Sequence, residues 1–149
     1  MIKIINKIVM TVGIVGALNV NADMVNVKST HSVKDTINKF ETIVKSKGMN
    51  VFARINHTKG AKSINKDLRP TQTLIFGSPK AGTPLMQENQ TIGLDLPLRV
   101  LFWQDKNSDT WITYHKPADV ISSHKITNKQ KIVNKMTKIL NSFSNKAAN

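Results

Sequence analysis

Two apolar stripes at helical spacing lie towards the ends of this chain, and the apolar residues between them recur at strand spacing. Val33, Ile37, Phe40 and Val44 fall at i, i+4, i+7 and i+11, on one side of a helix. Ile132, Val133, Met136, Ile139, Leu140 and Phe143 repeat that period near the other end. Between the stripes, residues 51–57, 71–76, 98–104 and 110–115 read as strands. The turn-rich Asp105-Lys106-Asn107-Ser108-Asp109 joins the last two as a hairpin. Val25 and Val27, alternating with Asn26 and Lys28, mark an earlier strand. The order is β-α-β-β-β-β-α. This implies an α+β two-layer sandwich with a mostly antiparallel sheet and both helices on one face. The other face is then left to solvent, loops or a second subunit.

Local signals place several boundaries. Ser32-Val33-Lys34-Asp35 is a capping-box-like start to the first helix, and Gly48 supplies its left-handed stop. Thr127-Asn128-Lys129-Gln130 is expected to cap the last helix in the same way. In the second strand, alternation puts Val51, Ala53, Ile55 and His57 on one face and Phe52, Arg54 and Asn56 on the other. Residues 58–66 read as a polar loop with a helical turn, and residues 77–84 as a Gly/Pro loop ahead of a short helix at Leu85-Met86-Gln87.

The first 22 residues are expected to be a signal peptide, with residues 23–149 forming a single domain. Lys3 and Lys7 precede an apolar run over residues 8–18, and Val20-Asn21-Ala22 offers small side chains to the peptidase. The run falls short of the roughly 20 residues that a membrane span requires. Cleavage after Ala22 would send the domain to the periplasm or beyond the cell. The absence of Cys excludes disulfides, thiolate metal sites and cysteine nucleophiles.

The chain carries 22 Lys+Arg against nine Asp+Glu, a net +13. Nucleic acid is not the expected partner, because the basic residues are almost all Lys. Base readout favours the planar Arg fork, supplied here only by Arg54, Arg69 and Arg99. Attraction to anionic membrane headgroups is a weaker expectation, and the charge of the last helix is read as incidental.

No established catalytic pattern is complete. Gly77 and Gly82 have phosphate-loop spacing, but Thr83 and Pro84 follow where Lys and Ser/Thr belong, which argues against a nucleotide triphosphatase. A lesser role remains, in which backbone N–H groups and Lys80 hold a carboxylate or phosphate. His31, His57, His115 and His124 have no metal-ligand spacing, and Asp95 has no neighbour marking it as half of an acid–base pair. Trp103, Trp111 and Tyr114 read as core, with Trp111 and Tyr114 as an alternative pocket wall.

The segments Phe52-Ala53-Arg54-Ile55-Asn56-His57 and Leu94-Asp95-Leu96-Pro97-Leu98-Arg99, the stretch from Leu68-Arg69-Pro70 through Gly77-Ser78-Pro79-Lys80-Ala81-Gly82-Thr83-Pro84, Trp103-Gln104-Asp105 and Trp111-Ile112-Thr113-Tyr114 resemble the family called domain of unknown function 302. The resemblance spans residues 25–143. It implies a compact α+β fold of β-α-β4-α order, often a homodimer, and names no reaction, substrate or cofactor. The family pattern usually has Asp at the position of Asn56 and often Asn at that of Ser78, so a catalytic carboxylate at position 56 would be missing here.

These readings lead to an exported, non-catalytic binding module for a small anionic or amphipathic ligand. Its expected ligand-binding residues are Arg54, His57, Arg69, Lys80, Gly82, Thr83 and Asp95, on one shallow site formed by the second strand, the 77–86 segment and the hairpin. One alternative is an enzyme with His57 as general base and Arg69 or Lys80 as anion stabiliser. The other is an assembly partner that uses the free sheet face.

Overall fold

In the computed structural model, which describes residues 23–149, five strands alternate with helices. The order is β1 (Met24–Ser29), α1 (Val33–Ser46), β2 (Asn50–Asn56), α2 (His57–Ser63), β3 (Thr71–Gly77), α3 (Pro79–Glu88), a 3-10 turn (Gln90–Leu94), β4 (Leu98–Gln104), β5 (Thr110–His115), α4 (Pro117–Ser123) and α5 (Gln130–Ala148). The expected signal peptide lies outside the described residues. No helix among the described residues is long and apolar enough to cross a membrane.

The strands form one antiparallel sheet in the order β1-β5-β4-β3-β2, so α1 carries the chain from one sheet edge to the other. The long helices α1 and α5 cover one face, as their stripes require. Phe40 of α1 lies at the centre. Its ring meets Phe76, Phe102 and Phe143 edge-on at centroid separations of 5.4, 5.3 and 5.9 Å, a favoured aromatic geometry. A second, smaller core under α3, α4 and the start of α5 gathers Leu85, Ile92, Ile121, Ile126, Val133 and Met136.

Ser32 caps α1, its Oγ accepting from Asp35 N at 3.1 Å and donating to the Asp35 carboxylate at 2.6 Å. Gly48 takes a left-handed φ of 67° just beyond the helix. The start expected for α5 is corrected: its N-cap is Lys129, with no side-chain cap bond, and Gln130 Nε2 instead donates to Asn134 Oδ1. Within α5, Leu140 is fully buried but Ile139 only partly so. The lysines Lys131, Lys135 and Lys138 face water.

Three further expectations change. A register shift between Val51 and Ala53 breaks the alternation in β2, leaving Phe52 exposed and placing Val51 and Arg54 together on the helix-covered face. His57 is not a strand residue but the first residue of α2, with Asn56 as N-cap accepting from Lys59 N at 2.9 Å. The 77–84 segment is not a loop. Ser78 caps α3 and Pro79 opens it, a position where the missing proline N–H costs nothing, and the helix continues through Gly82, Thr83 and Pro84. α4 follows the same rule from Pro117, a start that strand and turn patterns did not reveal.

Candidate functional site

A connected polar cluster lies where the 3-10 turn meets the end of α4. Asn89 caps the turn, its Oδ1 accepting from Thr91 N at 3.0 Å and from Thr91 Oγ1 at 2.8 Å. Its Nδ2 crosses to the main-chain carbonyl of His124 at 2.9 Å, tying the turn to the C-terminal cap of α4. The imidazole of His124 is then held on both nitrogens, Nδ1 at 2.8 Å from Thr91 Oγ1 and Nε2 at 2.7 Å from Asp95 Oδ2. The other oxygen of Asp95 accepts from Arg99 Nη2 at 3.0 Å, and the same guanidinium nitrogen reaches the Leu94 carbonyl. Each side chain has an evident positional cause. Asp95 closes the 3-10 turn, Arg99 leads out along β4 four residues later, and Lys125 at φ 59° turns the chain after His124.

Beside this network is a small apolar slot with about 30 Å³ of free space. Ile92, Leu96, Leu98, Ile121, Met136 and Leu140 line it, and Asp95, Arg99 and His115 supply its polar part. A water occupies roughly 10–15 Å³ on this measure, so the slot holds one or two waters or a short alkyl group. The side chain of His124 is only 12% exposed, against 37% for Asp95 and 53% for Arg99, so polarity increases outward.

The residues expected to form a site are dispersed. Arg54 is fixed over α1, donating to Asn38 Oδ1 at 2.7 Å and Gln72 Oε1 at 3.0 Å, with Glu41 at 3.4 Å. The Glu41 carboxyl is held below its usual range by Lys45 first, with Arg54 assisting against partial burial. His57 Nε2 meets Thr73 Oγ1 at 3.0 Å on the uncovered face, and Arg69 Nε donates to the Gln104 carbonyl at 3.0 Å. No hydrogen bond or ion pair among the described residues joins His57 to Arg69 or Lys80, as the general-base alternative would need. Lys80 and Thr83 are exposed on α3, and the Ala81 and Gly82 N–H groups both donate to the Ser78 carbonyl, which removes them from anion binding. Only Asp95 of the expected set enters the polar cluster. Trp111 and Tyr114 do not share a pocket wall. Trp111 donates to Asp105 Oδ2 at 2.9 Å, whereas Tyr114 lies in the core and donates to Asn141 Oδ1 at 2.7 Å.

Sequence reasoning missed Asn89, Thr91, Arg99 and His124. The one available signal was the 3-10 cap Asn89-Gln90-Thr91. His124 had none, because its partners lie 29 and 33 positions away. Among the described residues, no group of three His, Asp or Glu could hold a metal ion.

The sequence of residues 25–143 matches the family described as Domain of unknown function DUF302. The chain belongs to this family. A crystal structure of an uncharacterized conserved DUF302 protein from Bacillus stearothermophilus superposes with a TM-score of 0.75 at 21% identity, covering 83% of this chain and 97% of that one. The DUF302 chain is also 45% identical over 107 residues to Fluoride-specific ion channel FluC 1 of Brucella suis biovar 1 (strain 1330), and 45% identical over 107 residues to Fluoride-specific ion channel FluC 2 of Brucella melitensis biotype 1 (strain ATCC 23456 / CCUG 17765 / NCTC 10094 / 16M). Each match covers 72% of this chain but only 42% and 40% of those proteins, so the chain spans less than half the length of the curated relatives it matches. Asn56 caps α2, where Asn and Asp serve equally well, so the Asp that the resemblance leads one to expect at this position would fill the same structural role.

Proposed function

We propose that this DUF302 chain is an exported binding module for a small amphipathic anion. The apolar end of the ligand enters the slot between the 3-10 turn, β4, α4 and α5, and its charged end meets Arg99. The observation that carries this reading is the slot itself, an apolar cleft with a guanidinium at its polar edge. Asp95 is already paired to Arg99 and His124, which reduces its repulsion of an incoming anion. The Brucella relatives lend support of a limited kind, since the shared segment occurs there within longer chains named for a small anion.

Export is supported by the local geometry at Asp23. Its main-chain N lies 3.0 Å from Asp119 Oδ2, and its carboxylate pairs with Lys116 at 2.8 Å. Cleavage after Ala22 would convert that N into an ammonium facing a carboxylate, a stronger contact than the amide makes. N-terminal sequencing of periplasmic protein is expected to begin at Asp23, and recovery of Met1 from the cytoplasm would remove the export claim.

The uncovered sheet face supports a homodimer. Ile55 stands exposed there, its row continuing across the sheet through Thr73 to half-buried Leu101, and Phe52 is exposed further along β2, apolar surface of the kind that associating proteins bury. Ile55→Lys is expected to turn a dimer into a monomer in sedimentation.

Ligand binding is tested by thermal shift and calorimetry with acetate, propionate and hexanoate. Propionate should stabilise the wild type and fail with Val120→Phe, which enlarges a further side chain of the slot lining and plugs it. A wild type indifferent to all three anions would overturn the reading.

A further inference from the structure

We propose that Thr91, His124 and Asp95 form a hydroxyl–imidazole–carboxylate relay that hydrolyses small acyl esters. The inference rests on the slot reading only for the size of the acyl group, and otherwise stands on the relay's own geometry.

Hydrogen-bond chemistry fixes the direction of the relay. An ionised Asp95 can only accept, so His124 Nε2, 2.7 Å away, must donate. A neutral imidazole with its proton on Nε2 presents a lone pair at Nδ1, and Thr91 Oγ1 lies 2.8 Å from it. The hydroxyl is therefore placed to give its proton to a base that a carboxylate orients, the arrangement that activates a hydroxyl nucleophile. The same hydroxyl donates to Asn89 Oδ1 at 2.8 Å, so its single proton is divided between Asn89 and His124 at rest and turns to His124 as the oxygen attacks. Thr91 is open to solvent and the His124 side chain is largely shielded, while Asp95, 37% exposed, is held by Arg99 as well as by His124. Asp95, the carboxylate of the relay, also lines the apolar slot, as does Ile92 next to Thr91 in the chain, so the slot opens at the carboxylate end of the relay.

The chemistry balances without a co-reactant other than water. Thr91 Oγ1 bonds to the ester carbonyl carbon as its proton passes to His124 Nδ1. The bond to the leaving alkoxide breaks, and that oxygen takes the Nδ1 proton and departs as an alcohol. Water then adds to the acyl-threonine, giving a proton to Nδ1. The acyl–Oγ1 bond breaks, Oγ1 recovers the proton, and a carboxylic acid leaves. Throughout, Nε2–H stays bonded to Asp95. The slot's volume selects acetyl or propionyl over long acyl groups.

The test uses purified chain with p-nitrophenyl acetate, propionate and octanoate, alongside thermal melting. Thr91→Val keeps the shape and the main-chain bond to Asn89 but removes the nucleophile. It should lower acetate turnover at least about a hundredfold while leaving the melting temperature within a few degrees. Thr91→Ser should restore turnover, which a merely structural hydroxyl would not require, and His124→Gln should abolish it. Wild-type turnover no greater than that of Thr91→Val, or Thr91→Ser as inactive as Thr91→Val, would overturn the relay. Propionate binding without any hydrolysis would remove the relay and leave the binding reading. Hydrolysis indifferent to chain length in a protein that binds no propionate would remove the slot reading and keep the relay.

Discussion

His124 Nε2 and Asp95 Oδ2 lie 2.7 Å apart, joining residues 29 positions apart in the chain. This contact, the Thr91 hydroxyl at His124 Nδ1 and the Asn89 bond to the His124 carbonyl are polar ties between the 3-10 turn and the end of α4. His124→Ala should therefore destabilise the domain by about 1–3 kcal/mol, the range for losing hydrogen bonds to a charged group in a partly buried site. Urea unfolding measures it. A change below a few tenths would show that the apolar contacts of Ile92 and Ile121 hold the turn without it.

The helix layer gives a contrast within one turn of α5. Leu140 is 1% exposed, so Leu140→Ala should cost about 2–5 kcal/mol through lost burial and a residual cavity. Ile139, only partly buried against the same core, should cost less when cut to Ala. Lys131→Gln and Lys138→Gln, on the solvent side, should each change stability by no more than about 0.5 kcal/mol. Equal losses for Leu140 and Ile139 would contradict the burial assigned to this helix.

Acid sensitivity should include the β4–β5 hairpin, alongside the ion-paired carboxylates of Asp23, Glu41 and Glu88. The Asp105 carboxylate accepts from Trp111 Nε1 at 2.9 Å and from the main-chain N of Asn107 and Asp109 at 2.8 and 3.0 Å. The Trp111 bond first, and then these main-chain bonds, hold it below the ordinary 3.8 against some desolvation. The native state thus favours the ionised form, and the unfolded chain takes up the proton first as pH falls. Stability from this group is complete above the ordinary value and is lost as pH drops through the lower native value. Melting temperature should hold from about pH 7 to pH 5 and fall below about pH 4, with a smaller fall in Asp105→Asn.

Asn56 tests whether the residue at this position acts as a helix cap. Asn56→Asp should leave stability unchanged within about 0.5 kcal/mol, and Asn56→Ala should lower it by about 1 kcal/mol, as caps do. Chemical denaturation separates the two. A large gain on Asn56→Asp would point to a charge effect beyond capping.

How much of this was legible in the sequence follows from range. Periodicity placed all five strands, both long helices and the face that those helices share, because each depends on residues within about two turns or a few strand positions of one another. Ser32 and Gly48 marked the ends of α1 for the same local reason. The 77–84 segment misled because Gly and Pro usually break structure, yet Pro79 falls at the helix start, where its missing N–H costs nothing, the helix runs on through Pro84, and Leu85 buries against the second core. The β2 register shift was invisible because it is settled by the partner strand β3, which takes Phe76 and Ile75 opposite Val51 and Ala53. The polar cluster lay furthest from view. Thr91, Asp95 and Arg99 sit within one short stretch, but the imidazole that connects two of them comes from the end of α4, and no local pattern encodes a partner 29 positions away. The sequence determined the layers by itself, since burial of one face is a local periodic demand. Only the tertiary structure decided the site, since a hydrogen-bonded array of long-range partners exists only once packing has brought the segments together.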